Sequence, residues 1–120
     1  MGIGSTFKRI RDQLVIDQVQ RIALPVFPDT PVCRQRIKFS GRVQHVGFRL
    51  EVYELANRLG LTGWCENLEN GDVLAEFQGT REKIDFLASF FESLVRIKIR
   101  NKIVEEIFVI PDETEFIRRA

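Results

Sequence analysis

The sequence has very few of the side chains that build metal centres or covalent frameworks. One histidine and two cysteines are scattered over 120 residues, and no Cys/His cluster offers a transition-metal site. Cys33 and Cys65 are too few for a disulfide framework, and free thiols in a reducing cytosol are the ordinary state of such a pair. Net charge is nearly absent, at +1, which excludes a general attraction to nucleic acid, acidic substrates or membranes. Any charge-based function must be local. No run of about 18 apolar residues occurs, so no segment is expected to span a bilayer. Met1–Ile10 is too polar for a signal peptide, because it lacks a continuous apolar stretch before a small-residue cleavage site. A cytoplasmic protein with no membrane partner, no metal and no cofactor is therefore expected.

What is present suffices for one ordinary domain. The hydrophobic fraction is 44%, with Phe supplying 10 of the aromatic residues, and a chain of this length buries a real core without staples. Residues 1–24 read as a polar helix. Ile3, Phe7, Ile10 and Leu14 recur at helical spacing amid Lys8, Arg9 and Arg11, and Val15, Ile16, Val19 and Ile22 widen the stripe. Pro25, Pro28 and Pro31 cannot continue a helix and favour an extended connector. The boundary falls near Cys33, giving an N-terminal helix and proline-rich connector over 1–34 and a second unit over 35–120. A helix this apolar along one stripe is expected to dock, either on its own domain or on a second copy to make a homo-oligomer.

From there the pattern alternates. Arg36–Val43 sets Ile37, Phe39 and Val43 against Lys38, Ser40 and Arg42, a period-two strand. Phe48, Val52, Leu55, Ala56 and Leu59 share one helix face, with Glu54 and Arg58 four apart on the wet side. Gly60 suits the left-handed residue that ends a helix. Thr62–Asn67 and Val73–Gln78 read as a hairpin around Glu69, Asn70 and Gly71. Thr80 is expected to cap a second helix that turns Ile84, Leu87, Phe91 and Leu94 inward. Ile103–Ile110 reads as a further strand and Phe116–Arg118 as a short fifth one. Strand–helix–strand–strand–helix–strand is the βαββαβ order of an α+β, ferredoxin-like split βαβ sandwich. Here it carries an extra N-terminal helix, and its two other helices cover one face of an antiparallel sheet.

The most informative stretch is Gly41-Arg42-Val43-Gln44-His45-Val46-Gly47-Phe48-Arg49. A strand ends, a loop with glycine follows, and a helix begins with arginine in its first turn. Backbone N–H groups at a helix start lack intrahelical partners and can bind an anion. Consecutive loop N–H groups can add an anion-holding nest. Arg49 brings a permanent charge and a planar fork that can hold two phosphate oxygens. On these grounds alone the stretch is either a small-anion site or a plain strand–helix turn with Arg49 solvated or paired to a glutamate.

Read with Leu59-Gly60-Leu61-Thr62-Gly63-Trp64-Cys65-Glu66-Asn67 and Gly71, the loop resembles acylphosphatase. The family pattern runs Gly-basic-Val-Gln-Gly-Val-x-aromatic-Arg after the first strand, then Leu-Gly-Leu-x-Gly-Trp-Val-x-Asn. The likeness extends from about Ile37 to Phe116. It implies a five-stranded ferredoxin-like fold and hydrolysis of acyl phosphates to carboxylate and inorganic phosphate, with no metal and no covalent enzyme intermediate. It also implies that Arg49 binds the phosphate and Asn67 orients the attacking water. Gln44, His45, Val46, Gly47, Phe48 and Arg49 would form the phosphate-binding loop, with a small acyl phosphate or inorganic phosphate as the bound partner.

Three departures stand out. His45 occupies a position the family fills with glycine, where a positive φ would make histidine a strained choice. Cys65 replaces a valine beside Trp64, a small apolar exchange expected in the core. The usual Gly-Pro turn after the second helix gives way to Arg96-Ile97-Lys98-Ile99-Arg100-Asn101-Lys102. Its alternating cations read as a solvated strand or helix end, or else as a basic edge for a partner. His45 and the N-terminal helix keep open a second function, a catalytically weak or inactive module that binds phosphate or mediates oligomerisation. RNA-binding domains share the topology, but Val73–Gln78 lacks the exposed aromatics they use for stacking, which argues against nucleic acid.

Overall fold

The computed structural model describes residues 3–119. Met1, Gly2 and Ala120, at the ends of the two expected units, lie outside that range, as does the Ile3 side chain of the proposed stripe.

Eight elements follow one another: α1 (Ile3–Arg21), β1 (Val32–Arg42), α2 (Phe48–Arg58), β2 (Thr62–Asn67), β3 (Val73–Thr80), α3 (Arg81–Ser93), β4 (Lys98–Ile107) and β5 (Phe116–Arg118). The strands form one sheet in the order β4-β1-β3-β2-β5. β1 runs antiparallel to β3 and β4, and β2 antiparallel to β3. β5 lies parallel to β2. The sheet is therefore mixed, whereas an antiparallel one was expected. Residues 108–115 carry the chain across the sheet before β5 begins, and that crossing reverses its sense.

Alternation decides the faces. Ile37 stands opposite Ala75 and Phe39 opposite Val73, and all four are buried. Phe48, Val52 and Leu55 of α2 and Ile84, Leu87 and Phe91 of α3 close over them. At the centre Phe39, Phe48 and Phe91 meet edge to face, with centroids 5.1 Å (Phe39–Phe48) and 4.9 Å (Phe48–Phe91) apart, the arrangement ring quadrupoles favour. Cys65 is fully buried, as its apolar neighbours imply. The Thr80 side chain does not cap α3, contrary to expectation; its hydroxyl is buried without a hydrogen-bond partner.

The opposite face of the sheet holds a buried ionic cluster. Arg34 donates to Glu76 (2.8 Å) and to Glu113 (2.7 Å), and Arg36 donates to the other Glu76 oxygen (2.8 Å). Burial raises the Glu76 carboxyl, but the bonds from Arg36 and Arg34 outweigh it and hold the group below its ordinary range. Gln78 pins the 108–115 crossing by exchanging two bonds with the Ile110 backbone, at 2.9 and 2.8 Å.

α1 docks on α2, but with only part of the stripe the spacing suggested. Val15 and Val19 are buried, whereas Phe7, Ile10 and Leu14 are exposed. Arg58, expected on the wet side of α2, donates to the Val19 and Ile22 carbonyls at 2.7 and 2.6 Å. The end of α1 has no intrahelical donors for its last carbonyls, and Arg58 supplies them. This is a contact between elements, so the helical period alone could not say which part of the stripe is covered.

Candidate active site

The loop between β1 and α2 sits at the end of the sheet where β2 also terminates. Two of its residues are left-handed: His45 with φ 63 and Gly47 with φ 82. Gly47 is the residue before the first turn of α2 and has no side chain to cap it. Among the described residues the N–H groups of His45, Val46, Gly47 and Phe48 donate to no backbone carbonyl outside regular structure.

Three anchors hold this backbone. The Gln44 side-chain amide donates to the Leu68 and Asp72 carbonyls at 2.7 and 2.8 Å, stapling the loop to the β2–β3 turn. The His45 carbonyl accepts from Arg11 of α1 at 3.1 Å. The Val46 carbonyl accepts from Arg96 Nε at 2.7 Å. In a planar trans peptide the C=O and the next N–H point in opposite directions. Drawing the carbonyls of His45 and Val46 towards arginines therefore aims the N–H groups of Val46 and Gly47 the other way.

Arg96 does more than touch the loop. Its guanidinium also pairs with Glu51 of α2, which is 0% exposed. Burial pushes the Glu51 carboxyl above its ordinary value, and Arg96 offsets only part of that. The expectation of a solvated alternation therefore fails at its first residue, since Arg96 bridges the loop to α2. Lys98 and Arg100 are exposed on β4, and Lys102 pairs with Glu92 at 3.1 Å.

The loop, Arg49 and Asn67 line one cavity of about 390 Å³. Gln44, His45, Gly47 and Phe48 belong to its wall, while Val46 does not. Arg49 is neither free in solvent nor paired to a glutamate. One of its nitrogens donates to the Arg119 carbonyl at 2.8 Å, which fixes the side chain and leaves the rest of the fork available. Asn67 ends β2, and its Oδ1 is buried without a partner. Beneath the Arg49 backbone, the Cys65 thiol donates weakly to the Arg49 carbonyl at 3.7 Å. Burial pushes that thiol up to about 12 despite the nearby Arg49 and Arg118 charges.

Four cations lie on the cavity wall, Lys8, Arg11, Arg49 and Arg118, against the single carboxylate of Asp12. The near-neutral chain thus concentrates positive charge locally, which favours a small anion. The sequence pattern marked only Arg49 among them. Lys8 and Arg11 come from a helix read as a docking element, and Arg118 from a three-residue strand. No local signal separates such residues from ordinary surface cations.

The acylphosphatase family model matches residues 35–117. The chain belongs to the acylphosphatase family. An acylphosphatase from Syntrophotalea carbinolica is 40% identical over 81 residues, covering 62% of this chain and 88% of that protein. One from Nostoc is 43% identical over 58 residues, 48% of this chain and 57% of that relative. Over that stretch the chain spans little more than half the relative's length. Among solved structures, an acylphosphatase from Coxiella burnetii superposes with a TM-score of 0.66 at 36% identity, covering 73% of this chain and 93% of that one. The Bacillus subtilis acylphosphatase gives 0.68 at 26% identity, covering 73% and 99%. α1 lies outside the matched family segment. Among the described residues no helix is long and apolar enough to cross a membrane.

Proposed function

We propose that this chain hydrolyses acyl phosphates, the mixed anhydrides of carboxylic and phosphoric acids, to carboxylate and inorganic phosphate. One observation carries the proposal. Arg49 and the unpartnered Asn67 Oδ1 line the same cavity, walled by a loop whose His45 and Val46 carbonyls are held by arginines. The loop N–H groups and the Arg49 fork bind the phosphoryl oxygens. Asn67 Oδ1 accepts a hydrogen bond from water and so aims the water's oxygen at phosphorus. That oxygen forms a bond to phosphorus while the bond to the acyl oxygen breaks and the carboxylate leaves. The water's proton passes to a phosphate oxygen, so no side-chain base is needed.

Such sparse equipment suffices because the substrate already has a good leaving group, and positioning with charge stabilisation does the rest. An amide orients water without titrating. A module that binds phosphate without turnover would gain support if His45 spoiled the loop, but His45 adopts the left-handed conformation that glycine would. We place the activity in the cytoplasm, consistent with two free thiols at Cys33 and Cys65.

Purified full-length chain, assayed on benzoyl phosphate with and without a chelator, is expected to hydrolyse it equally in both. Arg49→Lys keeps the charge but loses the fork, and a rate loss of about 10²-fold or more is expected. Asn67→Ala is expected to cut turnover heavily while leaving inhibition by inorganic phosphate nearly unchanged. Full turnover in the Asn67 variant would refute its water-orienting role.

A further inference from the structure

We propose that α1 is a working part of the anion site, and that its Arg11 is a positioning residue holding His45 in the left-handed conformation the loop requires. The proposal rests on the phosphate-loop reading above and goes beyond it, because α1 lies outside the family segment at 35–117.

The starting point is a strained residue. A φ of 63 places the His45 backbone where an L side chain crowds its own carbonyl. Glycine would hold that shape freely, but histidine needs surroundings that fix it. The resemblance to the family pattern puts glycine at this position, so this chain must supply the restraint another way.

Arg11 is built to supply it. Its Nη1 donates to the His45 carbonyl at 3.1 Å. Its other edge is held by Asp12, with Nε and Nη2 donating to one carboxylate oxygen at 3.2 and 2.9 Å. The guanidinium is thus fixed in orientation, and its charge is largely balanced, before it reaches the loop. It acts on the peptide bond, not as a free cation. With the carbonyl held towards Arg11, the Val46 N–H must point away from it.

A second contact makes the brace specific to this place. A Cβ at Gly47 would lie 3.2 Å from Arg11 Nε and 3.3 Å from Val15 Cγ2. Val15 is itself buried. The helix therefore lies directly against the loop, and Gly47 is needed both for its own left-handed φ and for room beneath Arg11. Loop and helix fit each other at two left-handed residues, His45 and Gly47.

The test is a double-mutant cycle in the full chain, using Arg11→Gln, His45→Gly and the pair, with Arg11→Lys as a milder second variant. Affinity for inorganic phosphate is measured by calorimetry, and kcat and KM on benzoyl phosphate. Urea midpoints from Trp64 fluorescence report the folding of each variant. Arg11→Gln is expected to weaken phosphate binding about fivefold to tenfold when His45 is present, the scale of one hydrogen bond from a charged donor. With glycine at position 45 the same change is expected to weaken binding less than about twofold, since glycine needs no brace. Arg11→Lys should lie between the native chain and Arg11→Gln. Equal losses in both backgrounds would overturn the proposal, because Arg11 would then contact the ligand or act only through packing. No loss in the His45 background would also overturn it. A native chain that binds no phosphate would instead remove the functional reading on which the proposal stands.

Discussion

Replacing Arg96 with alanine removes two things at once: the counter-ion of a fully buried carboxylate and the donor to the Val46 carbonyl. Breaking a buried pair typically costs about 3–5 kcal/mol. Arg96 is 32% exposed, so water already screens part of the interaction and the loss should be smaller. A ceiling follows from proton linkage, because Glu51 can escape its stranded charge by binding a proton. That escape costs about 1.4 kcal/mol per pH unit above the ordinary glutamate value of about 4.3, so the Glu51 share cannot exceed about 3.7 kcal/mol at pH 7. The same limit is about 1.4 kcal/mol at pH 5.3.

The sign is definite. The Glu51 pKa is raised in the folded chain, so stability falls as pH rises from the ordinary carboxylate value through the raised folded one. Losing Arg96 steepens that fall. Urea titrations followed by Trp64 fluorescence should show a loss of roughly 2–3 kcal/mol at pH 7, shrinking to about 1–1.5 near pH 5.3. Adding Glu51→Gln should abolish the pH dependence of the difference. A loss below about 1 kcal/mol at pH 7, or one equal at both pH values, would refute the claim that Arg96 neutralises Glu51.

Two further outcomes follow from the same contacts. His45→Gly should change native stability by no more than about 1 kcal/mol, because relief of left-handed strain is offset by the greater freedom of glycine in the unfolded chain; a urea-measured loss beyond that would show that the imidazole itself holds the loop. Cys65, with its thiol pushed up to about 12, should resist iodoacetamide at pH 8 and react only on unfolding, as mass spectrometry of the modified peptide would reveal; rapid native labelling would contradict its burial.

Much of this was legible in the residues, and what was not has a physical reason. The β1–α2 loop could be found because a strand, a glycine and a helix-initiating arginine follow one another locally. Cys65 could be assigned to the core because strand alternation is a property of neighbours. The working face of α1 was legible only in part. Its apolar stripe includes Val15 and Val19, which are buried, and also Phe7, Ile10 and Leu14, which are exposed; only the surface of α2, with Arg58 reaching the end of α1, decides which part is covered. Arg96 read as one of four alternating cations because its partners are 45 and 50 residues away. Gln44 belonged to the phosphate motif, but its amide is spent on the β2–β3 turn. The parallel β5 was hidden by its length, since three residues carry too little pattern to fix a direction.

The three anchors of the loop also set when it can form. Its partners lie 34 residues upstream at Arg11, 24 and 28 downstream at Leu68 and Asp72, and 50 downstream at Arg96. Closures of that span are slow to gain and contribute late in folding. The proposed anion pocket is therefore completed only when nearly the whole chain is in place, and partly folded species should not hold phosphate. Phosphate added during refolding should leave the folding rate almost unchanged and slow unfolding instead, because a ligand that binds only the finished site stabilises the native state beyond the transition state. The ligand would then protect the protein by keeping its last-assembled part closed.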